Sequence, residues 1–217
     1  MKQYLRIIPI ASLFVIGTAA QAQSFFGTGL TSTAYYGGAL INFENVSSQD
    51  LLINGKFKLN VSDAYTGATY AVYTKNGALV GNESTSTGWN LLGTWTGNTN
   101  AAGTWTEIDV QNTLNVASGS TVGIGIFHAG GVDQTGGYIG YRGGGNSFSN
   151  GEVTITTGIA KGARGGTIAD PDLFFADSFN PRTWTGEVGY EAVPEPATML
   201  VLGCIAAYAA KRKRKNA

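Results

Sequence analysis

Short stretches of alternating apolar and polar residues run through the middle of the chain. In residues 56–61, Phe57, Leu59 and Val61 point to one side of an extended segment, and the polar residues between them point to the other. Such alternation predicts a half-buried antiparallel strand. Further strands are predicted at residues 51–53, 69–74, 89–96, 103–110, 121–128, 138–142, 152–157 and 183–190.

Turn-forming residues separate these strands. Asn76-Gly77 follows residues 69–74 and is a strong turn signal. The string Gly-Thr-Trp-Thr occurs twice, at 93–96 and 103–106, which indicates either a hairpin or two successive strands around a polar loop. Because eight or nine strands are predicted with no helical pattern between them, the fold class expected is all-β, an antiparallel, jelly-roll-like β-sandwich.

The N-terminal end has the three parts of a signal peptide. Lys2 and Arg6 form a positive start, residues 7–17 form an apolar centre, and Ala20 and Ala22 form a small-x-small cleavage site. We therefore expect this segment to be removed after it has directed export. A plain transmembrane anchor is the alternative.

The C-terminal end carries a second targeting pattern. Pro194, Glu195 and Pro196 precede an uncharged, apolar run at residues 197–210. As a helix this run is about 21 Å long, which is short for a bilayer core of about 30 Å. The positive charges that follow favour a cytoplasmic end, with the preceding domain outside the cell. They belong to Lys211, Arg212, Lys213, Arg214 and Lys215.

Pro-Glu-Pro, a short transmembrane helix and a basic end, opposite a signal peptide, resemble the PEP-CTERM sorting signal of Gram-negative bacteria. The resemblance covers residues 194–217. It implies two partners, a secretion translocase and exosortase, a membrane-embedded peptidase that cuts near the Pro-Glu-Pro. It also implies a precursor in the cytoplasmic membrane and a product at the cell surface or in the exopolysaccharide of a biofilm matrix. A permanent C-terminal anchor is the alternative.

The layout of the central strands is loosely similar to the β-sandwich ectodomains of other exported bacterial proteins, without implying their functions. The residues that carry this similarity are Tyr70, Val72, Tyr73, Gly81, Trp89, Asn90, Trp184 and Gly186.

The predicted organisation is a signal peptide at 1–22, an extracytoplasmic domain at 23–192 and a sorting tail at 193–217. The domain holds seven basic and thirteen acidic residues, a net charge of about −6. Since nucleic-acid binding needs a basic surface, nucleic acid is excluded as a partner. The single cysteine, Cys204, lies in the tail, so the domain can form neither a disulfide nor a cysteine metal site.

Candidate catalytic residues are few. His128 is the only histidine and lies at a strand end, and no Gly-x-Ser-x-Gly motif accompanies it. Glu107 and Asp109 are expected on one face of a single strand, whereas glycoside hydrolysis needs two carboxylates facing each other across a site. No catalytic residue is therefore assigned.

A cluster of carboxylates offers the one candidate metal site. Asp170, Asp172 and Asp177 are hard oxygen ligands at the density that calcium uses, but they lack EF-hand spacing. We expect no cofactor, with calcium at these three residues as the alternative and an ordinary surface loop as the simpler interpretation.

The tryptophans, Trp89, Trp95, Trp105 and Trp184, either form the core or stack against sugars, and we expect the core. The function predicted is that of an exported, non-catalytic surface or matrix protein, adhesive or exopolysaccharide-associated. The alternative is a secreted hydrolase on a jelly-roll scaffold that acts on polysaccharide.

Overall fold

Antiparallel strands dominate the computed structural model, which describes residues 23–29, 31–130, 134–162 and 172–193. Fifteen strands and one short helix are present in this part of the chain. Their bounds are β1 Ser24–Gly27, β2 Ala34–Tyr36, β3 Gly38–Asn45, β4 Leu51–Asn60, β5 Ala68–Asn76, β6 Asn90–Gly97, β7 Trp105–Asp109, β8 Leu114–Val116, β9 Thr121–His128, β10 Ile139–Gly143, β11 Ser147–Ser149, β12 Val153–Lys161, α1 Asp172–Phe175, β13 Ser178–Phe179, β14 Arg182–Trp184 and β15 Gly186–Ala192.

Two large sheets contain most of these strands. The five-stranded sheet has the order β1-β15-β4-β7, and β8 pairs with the other part of β4. The seven-stranded sheet has the order β11-β12-β3-β9-β5-β6, and β13 pairs with the end of β12. A smaller sheet has the order β14-β10-β2. All of these strand pairings are antiparallel, so the fold is all-β, as predicted.

The main core joins side chains from both large sheets. In β4, alternate residues are buried along the strand, as the alternation of Phe57 and Leu59 with lysines predicts. These side chains pack with residues such as Ile124 of β9 and Ile155 of β12, which belong to the seven-stranded sheet. One apolar cluster shared by two sheets is consistent with a β-sandwich.

A second core lies on the other face of the seven-stranded sheet. Here Leu40 of β3 and Phe127 of β9 pack against residues outside the sheet. The covering side chains are Leu79 and Trp89 from the connection after β5 and Leu173 and Phe174 from α1. β9 is therefore buried on both faces, with Val122, Ile124 and Ile126 in the main core and Phe127 in the second.

Several predicted elements differ from the structure. The first Gly-Thr-Trp-Thr segment lies within β6 and the second runs into the start of β7. These strands pair with β5 and β4 in different sheets, so the hairpin alternative is wrong. Residues 183–190 span two strands, because the chain leaves the smaller sheet at Thr185 and enters the five-stranded sheet at Gly186. The strand count of eight or nine is too low, and the helix α1 was not expected.

Candidate functional site

The predicted targeting residues lie outside the described part of the chain. This applies to the signal-peptide cleavage site at Ala20 and Ala22 and to the predicted helix at residues 197–210. It applies equally to the sorting motif Pro194, Glu195 and Pro196 and to the basic residues Lys211, Arg212, Lys213, Arg214 and Lys215. In the residues that the structure describes, no helix has the length and apolar character needed to cross a membrane.

A polar cleft lies at one end of the sandwich, between the two large sheets. Its volume is about 450 Å³, within the usual range of ligand pockets. β8 contributes one wall from the five-stranded sheet, while the end of β5 and the start of β9 contribute the other from the seven-stranded sheet. The lining residues are Asn76, Gly77, Leu114, Asn115, Val116, Ala117, Ser120, Thr121 and Val122.

The lining of this polar cleft combines an apolar base with a polar rim. Val116 and Val122 are buried members of the main core. The side chains of Asn76, Asn115 and Ser120 are exposed above them. None of the residues that line the cleft is titratable, so it offers amides, hydroxyls and apolar contact without charge.

The cleft lies where β5 ends and β9 begins. Gly77 leaves β5 with a φ of 83°, a conformation open to glycine, and its N–H donates a hydrogen bond of 3.0 Å to the Thr121 carbonyl. The chain therefore turns away from the sheet at this point. Asn76 has its predicted role in ending a strand, but the chain continues into a long connection and not a two-residue hairpin.

The outward face of the five-stranded sheet, here called the open face, is charged. Glu107 and Asp109 share this face of β7, as predicted, and lie opposite Lys58 and Lys56 of β4. Lys58 also forms a 3.1 Å ion pair with Glu187 of β15. The two β7 carboxylates therefore face ammonium groups across a strand pair.

His128 is fully buried beneath the sheet surface. Its Nε2 atom lies 3.3 Å from the Gly136 carbonyl oxygen, and its ring stacks on Tyr138 with centroids 5.0 Å apart. In the described structure this imidazole has no solvent-exposed surface.

The tryptophans mostly serve the cores, as predicted. Trp184 is buried in the main core and Trp89 in the second core. Trp95 packs against the main core and stacks on Tyr70, with centroids 5.9 Å apart. Trp105 is the exception, because it lies half-buried on the open face beside Glu107.

The three aspartates predicted as calcium ligands are only partly described. Asp170 lies outside the described residues, Asp172 begins α1, and Asp177 precedes β13. Among the described residues, no group of three His, Cys, Asp or Glu side chains has the arrangement of a metal site. Calcium at these positions stays a prediction.

A lysine lies close to Asp177. Lys161 ends β12 and is fully buried, and its Nζ donates hydrogen bonds to the Glu83 carbonyl oxygen at 3.0 Å and to Ser178 Oγ at 2.7 Å. Burial lowers the pKa of this ammonium group, while the carboxylates of Glu83 and Asp177 oppose that shift. The strand predicted from the sequence ended at residue 157, so Lys161 was not among the candidate site residues.

Comparison with protein-family models finds no match to the chain, and comparison with curated proteins finds no significant match.

Proposed function

We propose that the chain is an exported bacterial surface or matrix protein whose β domain binds exopolysaccharide without cleaving it. In this proposal the domain is a jelly-roll-like sandwich, and the tail is a PEP-CTERM signal read by exosortase. The membrane holds the precursor, and the cell surface or biofilm matrix holds the product. Signal-peptide and sorting-tail patterns support the route, and the polar cleft supports the binding role.

The observation that carries the binding role is the lining of the polar cleft. A sugar ring has apolar C–H patches and many hydroxyl groups. Leu114 and Ala117, which are less buried than Val116 and Val122, offer contact to such patches, while the side-chain amides of Asn76 and Asn115 both donate and accept hydrogen bonds. A site of this composition suits a saccharide better than a charged or wholly apolar ligand.

The charge of the domain limits the class of saccharide that the cleft can bind. The domain carries a net charge of about −6, so its overall field repels polyanions. The cleft itself has no titratable lining residue with which to attract an anion. We therefore expect an uncharged saccharide segment and not a uronic-acid or sulfated polymer.

The same lining favours binding over cleavage. Glycoside hydrolysis commonly uses two carboxyl groups about 5–10 Å apart on either side of the scissile bond. The residues that line the polar cleft include no carboxylate and no histidine. A secreted polysaccharide hydrolase, the alternative function, would need such a pair against the bound sugar.

Glycan-array binding by the full chain in detergent, with and without calcium, tests the binding role. We expect uncharged glycans to bind, and Asn76→Ala and Asn115→Ala to weaken binding about tenfold each by removing hydrogen bonds. Gln49→Ala, which removes an exposed amide outside the cleft, is the matched control. Unchanged binding in both cleft variants would contradict the assignment of the cleft, and loss of binding without calcium would support the calcium prediction.

A separate experiment tests the sorting route. Replacing Pro194, Glu195 and Pro196 with alanines allows helix to extend into this segment. Proline lacks the N–H that a helix needs and restrains the residue before it to an extended conformation, and both effects are removed. We expect an uncut precursor in the cytoplasmic membrane of the native host, visible by immunoblot of cell fractions. Identical size and distribution of the variant and the parent protein would favour a permanent anchor.

A further inference from the structure

A serine and a lysine lie side by side where β13 pairs with the end of β12. The register places Lys161 directly opposite Ser178, and their Nζ and Oγ atoms are 2.7 Å apart. This distance is within hydrogen-bond reach of a nucleophile and its base, and serine–lysine pairs are one known form of that arrangement. We propose that Ser178 is a nucleophilic serine and that Lys161 is the base that accepts its proton.

The two side chains differ in exposure in the way this role requires. Lys161 is 0% exposed, whereas Ser178 is exposed at the surface. A carbonyl compound can therefore reach the hydroxyl oxygen while solvent is kept from the amine. The Glu83 carbonyl, 3.0 Å from Nζ, holds the amine in place as the third group of the arrangement.

The surroundings also suit a proton transfer in both directions. Burial favours the neutral amine, which is the form that accepts a proton, and so lowers the pKa of Lys161. The carboxylates of Glu83 and Asp177 favour the ammonium form that appears once the proton has moved. Within the described part of the chain, these two acids are the charged groups that shift the pKa of Lys161.

The chemistry expected is hydrolysis of a carboxylic ester. Ser178 Oγ forms a bond to the ester carbonyl carbon as its proton passes to Lys161 Nζ. The ester C–O bond then breaks, and the leaving alkoxide takes that proton from Nζ. Water, deprotonated by the same amine, releases the acid and restores the serine hydroxyl. This role goes beyond saccharide binding, and it shares no residue with the polar cleft.

A fluorophosphonate probe tests the pair in the full chain, with mass spectrometry to locate the label. We expect labelling of Ser178 about 100-fold faster than of Ser149, an exposed serine whose Oγ bonds only to Thr154 and Gly151 among its described neighbours. Ser178→Ala should abolish the fast labelling, and Ser149→Ala should leave it unchanged. Equal labelling rates at the two serines would overturn the proposal.

Lys161→Arg separates activation from simple exposure. Arginine keeps a positive charge but cannot act as a base at ordinary pH, so labelling of Ser178 should fall to the rate of Ser149. If this variant does not fold, the pH profile of the parent protein decides. We expect the labelling rate to rise with pH and reach half its maximum below pH 10.5, the ordinary pKa of lysine. A rate independent of pH would reject Lys161 as the base. Saccharide binding is assayed separately, so failure of either proposal leaves the other standing.

Discussion

The outer faces of the two large sheets differ in what covers them. On the seven-stranded sheet, Leu79, Trp89 and Phe174 close over Leu40 and Phe127 and exclude water. On the five-stranded sheet, charged side chains alternate along β4 and β7 and stay in contact with solvent. Within the described residues, α1 and the connection after β5 supply the cover of the seven-stranded sheet. The outward side chains of β4 and β7 remain partly or fully exposed.

The amino-acid sequences of the strands reflect this difference in cover. β9, covered on both faces, contains only apolar residues and glycines between Thr121 and His128 and has no lysine, arginine, aspartate or glutamate. β4, open on one face, alternates apolar residues with Asn54, Lys56 and Lys58. Strands buried on both faces lose the simple alternation that marks half-buried strands. The presence of charge at every second residue is therefore the better indicator of a solvent-facing sheet.

The largest expected effect comes from two phenylalanines on opposite outer faces. Phe174 is buried and lies 4.8 Å from Phe127 and 5.0 Å from Trp89 between ring centroids. Phe174→Ala should lower the free energy of unfolding by about 3–5 kcal/mol. Phe25→Ala, on the open face where the ring is partly exposed and Lys58 Nζ lies 3.9 Å from its centroid, should lower it by about 1 kcal/mol. Urea denaturation of both variants measures the contrast, and equal losses would mean that the faces are not differently covered.

A glycine in β9 tests how tightly the covered face is packed. A Cβ atom at Gly125 would lie 2.8 Å from a ring carbon of Phe127 and 3.0 Å from Leu40 Cδ2. Gly125→Ala should therefore cost about 1–3 kcal/mol through overpacking. Gly143→Ala in β10 is the control, because no atom lies within 4 Å of its added Cβ. The shift of the urea midpoint measures the stability change of each variant. An unchanged midpoint in Gly125→Ala would show that the side chains of the second core can move to admit the added methyl group.

Alkaline pH tests a tyrosine inside the main core. Burial, and then the charge of Asp63, raises the pKa of Tyr70 far above its usual value of 10.0. The folded protein keeps this proton while the unfolded chain loses it above about pH 10. Stability should be unaffected by this group below pH 10 and fall by about 1.4 kcal/mol per pH unit above it. Urea midpoints between pH 8 and 11.5 measure the loss of stability. The loss with pH should be shallower in Tyr70→Phe. An identical pH profile in that variant would contradict the prediction.

The smallest effect is expected from the ion pair on the open face. The Lys58 and Glu187 side chains are 24% and 23% exposed, so water and salt screen their attraction. A double-mutant cycle with Lys58→Met and Glu187→Gln should give a coupling of about 0.2–1 kcal/mol that vanishes in 1 M salt. A coupling that persists in salt would mean that this face is shielded from solvent.

The apolar patterns predicted strands at residues 51–53, 56–61 and 121–128, which lie almost wholly within β4 and β9, but they did not predict which strands pair. The string Gly-Thr-Trp-Thr lies within β6 and recurs at the start of β7, yet Leu92 of β6 and Ile108 of β7 enter the main core from different sheets. β3 was not predicted, because four of its eight residues are of types that strands usually avoid. These residues are Gly38, Asn42, Glu44 and Asn45. In the folded chain Asn42 Oδ1 accepts a hydrogen bond from the Leu79 N–H, a partner that only the tertiary structure reveals.

Neither candidate site could be assembled from sequence. The polar cleft joins residues 76–77 with residues 114–122, and no spacing rule connects them. Lys161 and Ser178 meet because β12 continues past an irregularity between Thr157 and Ile159 and then pairs with a two-residue strand. The predicted aspartate cluster includes Asp177, but no sequence pattern places Lys161 and Ser178 next to each other.

The place of β15 in its sheet has a consequence for the order of events during synthesis. It is the last strand described, yet it lies between β1, the first, and β4. As residues emerge one by one from a ribosome or a secretion channel, β1 must wait without its partner until residues 186–192 arrive. During that interval one edge of β4 is also unpaired, and exposed strand edges promote aggregation. A nascent chain that stalls before Gly186 therefore leaves unpaired the two edges, one on β1 and one on β4, that β15 occupies in the finished sheet.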